Sequence, residues 1–91
     1  MLISSILDMA VYSKNMVRLG KVKDVEIDDE FKITHLILEL ERGATKQLFD
    51  KLIAIRHGKG RVTPMLVEKI GKDAVILKQT VAELKGAVES F

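Results

Sequence analysis

Two histidines, His35 and His57, are the side chains whose ordinary pKa lies nearest neutrality, and each stands among other charged groups. His35 lies in an apolar run, Ile33 to Leu40, that reads as a β-strand. In a hairpin with the preceding segment it falls opposite Glu26 on the outer face. Asp24, Glu26 and His35 are a sparse set for a metal ion, so a cross-strand polar pair is the expectation. His57 belongs to a basic stretch with two glycines, Arg56, His57, Lys59 and Arg61. Glycine-rich turns can expose backbone N–H groups to an anion, which makes these four a candidate anion contact. The alternative is a solvated hairpin tip, since the spacing matches no phosphate loop or RNA-binding motif.

Asp28, Asp29 and Glu30 invite comparison with a calcium loop. They lack its ligand spacing and its distal glutamate, so an acidic turn is the better account. Asp24, Glu26 and Asp28 alternate along one strand. Crowded carboxylates can raise a pKa for acid–base work only if they are buried, and an exposed strand leaves them solvated. The chain has no cysteine, and no serine or lysine has a catalytic partner at a usable spacing. The expectation is therefore a non-enzyme, with no catalytic residues, no metal and no cofactor.

The element that must position these groups is the hairpin from Arg18 to Glu41. Val22, Val25 and Ile27 mark its first strand, and Leu36, Leu38 and Leu40 share one face of its second. A four-residue connection, Asp29 to Lys32, would set Val25 opposite Leu36 and Ile27 opposite Thr34. Val22 and Val25 are out of phase in a two-residue period. If both point inward, a β-bulge is required near Lys23–Asp24. Bulged, bent strands suit a small barrel. Ile33 and Ile37 lie on the other face and need a cover, from this chain or from a partner.

The rest of the chain supplies short elements. Ser4 or Ser5 with Asp8 suggests a capped helical turn carrying Ile3, Ile6 and Leu7 into the core. Ala10 to Ser13 reads as a strand and Lys14 to Met16 as a turn, with Asn15 its left-handed residue. Gly20 reads as a bend or a close backbone approach. ATKQLFD, residues 44–50, fits either a helical turn or a loop. Leu52 to Arg56 reads as a strand, His57 to Gly60 as a turn, Pro64 as the first residue of a helical turn, and Ala74 to Lys78 as the last strand. Gln79 to Phe91 reads as a helix opened by a Thr80–Glu83 capping box. Its stripe, Val81, Leu84, Val88 and Phe91, must dock on its own domain or on a second copy. With Ile33 and Ile37, these four residues form the candidate protein interface.

Ninety-one residues make one domain, and a net charge of +2 from interspersed charges is not the footprint of a nucleic-acid binder. The apolar N-terminus contains Asp8 and no basic segment, so neither a signal peptide nor membrane insertion is expected. A cytoplasmic protein is.

Three stretches resemble the PRC-barrel family: SSILDMAVYS, RLGKVKDVEIDDEFKITHLILEL and PMLVEKIGKDAVIL. The second is the most telling, matching the family's positions at Gly20, Val22, Asp24–Val25 and Asp28. The chain departs from the pattern at Asp8, where glycine is frequent, and at Asn15–Met16, where an Asp-Gly turn is frequent. The resemblance implies a mainly β fold, a small barrel of five to six short strands, over residues 1–78, with a short C-terminal α-helix at 79–91 packed on the barrel or on a second subunit. It also implies a non-catalytic protein-interaction or adaptor domain, since the family's members share protein–protein contact. Archaeal cell division is one such setting. The alternative is an RNA-processing or ribosome-associated factor using residues 56–61. A protein partner and a homodimer are expected, and nucleic acid is not.

Overall fold

The computed structural model describes residues 1–49 and 58–90. They form a mainly β domain with a single seven-stranded sheet in the order β5-β6-β1-β2-β3-β4-β7. The strands are β1 (Ala10–Tyr12), β2 (Arg18–Ile27), β3 (Ile33–Leu40), β4 (Lys59–Val62), β5 (Val67–Ile70), β6 (Ala74–Leu77) and β7 (Glu89–Ser90). Neighbours are antiparallel except β1 and β6, which run parallel. Among the described residues β5 and β7 end the sheet without pairing to each other, so it bends around the core without closing. Three one- or two-turn helices accompany it: α1 (Ile3–Ile6), α2 (Arg42–Phe49) and α3 (Val81–Leu84). A 3-10 turn, Pro64–Leu66, has proline at its start as expected and is followed by β5, a strand that the sequence reading did not anticipate.

The β2–β3 hairpin behaves largely as the apolar phasing requires. Val25 faces Leu36 and Glu26 faces His35. A bulge between Val22 and Asp24 resets the phase, so Val22 is fully buried and Val25 packs against the core. The end of the hairpin differs from expectation. A second irregularity after Glu26 pairs Ile27 with Ile33 instead of Thr34, which leaves a five-residue loop, residues 28–32. Asp28 sets that loop: its Oδ1 accepts the N–H groups of Glu30 at 2.9 Å and Lys32 at 3.0 Å. Gly20 is the close approach expected. Its φ is +157°, and a Cβ there would overlap the Glu39 carbonyl on the paired strand.

The core is aliphatic, with Val11, Leu19, Val22, Leu38, Leu40, Val62, Val75, Leu77 and Leu84 almost fully buried. Each such side chain contributes about 1.5–3 kcal/mol of transfer free energy relative to exposure. The ambiguous stretch after β3 is helix α2, which places Ala44 and Leu48 in this core.

Four local expectations are corrected. Helix α1 begins after Leu2 without a side-chain cap, and only Ile6 of Ile3, Ile6 and Leu7 is buried. In the β1–β2 turn the left-handed residue is Met16, not Asn15; Asn15 instead accepts a hydrogen bond from the buried Ser13 hydroxyl. Both Asp8 and Met16 have positive φ, the conformation for which glycine is suited at the two places where the chain departs from the family pattern.

The third correction concerns residues 59–62, which are strand β4 rather than a turn running into a solvated tip. Gly60 is buried there, and a Cβ would come 2.8 Å from Val88 and 3.1 Å from Leu40, so glycine makes room for the tail. The fourth is the tail itself. Thr80 and Glu83 do form the capping box, but the helix ends after Leu84, and the chain turns at 85–87 to pair as β7 with β4. Gly86 disfavours a continuing helix by about 1 kcal/mol. Stopping there lets both Leu84 and Val88 reach the core of their own domain. The strand expected at Leu52–Arg56 lies outside the described residues.

Candidate interaction surface

The outer face of β2, β3, β4 and β7 carries a charge cluster centred on Glu26. Its Oε1 lies 3.1 Å from His35 Nδ1 and 3.2 Å from Arg61 Nε. Arg61 Nη2 donates to Glu26 Oε2 at 3.4 Å, and Nη1 stands 3.6 Å from Glu89 Oε2. The cluster ties three strands and the tail together. His35 thus makes the cross-strand polar pair that its position predicted. Among the described residues no group of three or more His, Asp and Glu is placed to hold a metal ion.

This geometry redistributes the candidate site residues. Of the basic stretch, Lys59 and Arg61 sit on a strand. Arg61 lies between two carboxylates, and Lys59 pairs in register with Glu39. Arg56 and His57 lie outside the described residues, as does Phe91. Of the interface candidates, Leu84 and Val88 are buried in their own core, and Val81 packs against it. Leu84 and Val88 are therefore not exposed to a second subunit, whereas Val81 is only partly buried. Ile37 is buried as well, with Asp24 and Arg61 as its register partners. Of the described interface candidates Ile33 alone is exposed.

Ile33 is not isolated. It faces Ile27 across the last rung of the hairpin, and Phe31 stands on the loop between them. The three are 41%, 48% and 85% exposed. Phe31 has φ +63°, a left-handed conformation that is unusual for a large aromatic residue. Its N–H closes a turn on the Asp28 carbonyl at 3.1 Å, and the loop would accept glycine or asparagine at that position more readily. Sequence reasoning passed over Phe31 and Ile27. The available signal was an aromatic residue inside an otherwise charged turn, DDEFK.

At the other end of β2 lies a cleft of about 790 Å³ between α2, α3 and the β1–β2 turn. Val17, Gly43, Val81 and Ala82 line it together with Lys46 and Lys85, and among the described residues no carboxylate does. Helix α3, whose Val81 and Ala82 line the cleft, opens with the Thr80–Glu83 capping box. There the Glu83 carboxyl is held below its usual pKa, first by the Thr80 backbone N–H and then by the Thr80 hydroxyl.

The described residues thus define a small mainly β domain with an aliphatic core, a tied outer charge cluster and an exposed apolar hairpin end. No helix among them is long and apolar enough to cross a membrane. The family model of the PRC-barrel domain matches residues 1–84, and the chain belongs to that family. No curated protein matches it.

Proposed function

We propose that this chain is a non-catalytic protein-interaction domain that docks through the end of its β2–β3 hairpin. The observation that carries the reading is the exposed trio Ile27, Phe31 and Ile33. Three large apolar side chains at one hairpin end are costly to leave in water, and an aromatic anchor is the usual energetic focus of an interface. Holding Phe31 in a left-handed conformation adds a backbone cost that folding alone does not require. The family's habit of protein–protein contact supports the same reading. Archaeal cell division, one setting the family occupies, is carried as part of the proposal.

The alternative, an RNA- or ribosome-associated factor working through residues 56–61, loses support at Arg61. Phosphate binding needs cations free to replace counterions, and this guanidinium lies against Glu26 and Glu89.

The test is the size of the species that contains this chain in its native cells. The wild-type chain is expected in a complex larger than its 10.2 kDa monomer. Phe31→Asn, equally folded by circular dichroism, is expected to run as free chain. An unchanged complex in the variant would overturn the reading.

A further inference from the structure

We infer that the docking element and the cleft are complementary halves of one contact, so that the hairpin end of one copy seats in the α2–α3 cleft of the next. The inference rests on the reading of the hairpin end as a docking element, and it names that element's occupant as a second copy of this chain.

Chemistry matches the two surfaces. The hairpin end presents Phe31, Ile27 and Ile33, and its loop, residues 28–32, holds three carboxylates, Asp28, Asp29 and Glu30, against one lysine, Lys32, which stands 3.4 Å from Glu30. The cleft is lined by the apolar Val17, Val81 and Ala82, with Lys46 and Lys85 beside them and no carboxylate among the described lining residues. An apolar knob in an acidic setting thus meets an apolar lining in a basic one, and this arrangement steers and orients association. The cleft, about 790 Å³, is open on its outer side, so a side chain can enter it from another molecule.

Topology excludes the chain's own hairpin as the occupant. Val17 stands immediately before β2, and the loop bearing Phe31 follows its end. Ten strand residues at about 3.3 Å each separate them by up to about 30 Å, close to the 37 Å long axis of the domain. A chain cannot reach its own cleft with its own hairpin. Because knob and cleft are different patches, the contact is heterologous: it extends head to tail or closes a ring.

The experiment is sedimentation equilibrium on the full chain and on two variants that spare the core. Phe31→Asn removes the knob. Lys46→Glu with Ala82→Glu, both at exposed positions, spoils the cleft. Circular dichroism confirms that each folds. The wild-type chain is expected to grow in mass with concentration, beyond a dimer where no ring forms. Each variant alone is expected to associate about thirtyfold more weakly or less, as loss of an interface anchor implies. An equimolar mixture of the two variants retains one intact knob and one intact cleft, and is expected to form a 1:1 pair that grows no further.

A monomeric wild-type chain, variants that associate as the wild type does, or a mixture that stays monomeric would each overturn the inference. If the wild type is monomeric while the native complex still depends on Phe31, the self-contact fails and the interaction-domain reading stands. If that dependence is absent too, both fail.

Discussion

Ile27 and Ile33 face each other across the final rung of the β2–β3 hairpin, and both remain partly exposed to solvent. That pairing exists because the register slips by one residue after Glu26. In the unslipped register Ile27 would have met Thr34, and the rung would have been half polar. The slip pairs two isoleucines at the base of the loop that carries Phe31.

Phe31→Asn separates folding from docking. Asparagine adopts left-handed backbone more readily than phenylalanine, whose penalty there is about 1–2 kcal/mol. The variant is expected to unfold at an equal or higher denaturant concentration, with a gain of up to about 1 kcal/mol, while it loses its contacts. A loss of stability instead would show that Phe31 is held for packing.

Gly20→Ala tests the close approach of β2 to β3. The new methyl would overlap the Glu39 carbonyl in a backbone conformation that disfavours a side chain. Overpacking of this kind costs about 1–3 kcal/mol or more, read as a lower midpoint in chemical unfolding or as failure to accumulate folded protein.

The tail is expected to be indispensable. Leu84→Ala should cost about 2–5 kcal/mol, as for other buried leucines. A chain ending at Lys78 lacks Leu84, Val88 and β7, and is expected to lose its cooperative unfolding transition. A folded, truncated monomer would place these residues outside the core.

Glu83 gives the capping box a pH dependence. Its folded pKa is lowered by hydrogen bonds from Thr80, so its contribution to stability is present above the ordinary value of 4.5 and is lost as pH falls through the depressed folded value. The stability difference between wild type and Glu83→Gln is therefore expected to be constant near neutrality and to shrink below about pH 4.5, in thermal melts taken across that range. Thr80→Ala removes the cap itself and should cost about 1 kcal/mol.

The hairpin was legible in the sequence because burial on one face makes a strict demand on phase. Val22 and Val25 violate the two-residue period, and only a bulge reconciles them. The tail was not legible in the same way. Val81, Leu84 and Val88 satisfy a helical stripe, yet Leu84 and Val88 reach the core equally well from one helical turn followed by a strand, and only the sheet edge at Gly60 decides between them. Strand β4 was hidden because Lys-Gly-Arg resembles a turn. Its glycine serves contact with Val88 rather than chain reversal. Phe31 escaped notice because Asp28 supplies the hydrogen bonds that define the loop.

The most direct measurement replaces Phe31 by photoreactive benzoylphenylalanine and compares its light-dependent adducts, in the native cells, with those from the same residue at Met65. The two native side chains are almost equally exposed, at 85% and 82%, so exposure alone predicts equal yields. A docking hairpin predicts a protein adduct at position 31 far above that at position 65. Within an adduct of two copies, the peptide joined to position 31 should contain Val17 or Ala82. Equal background at both positions, or a stronger adduct at position 65, would contradict the account.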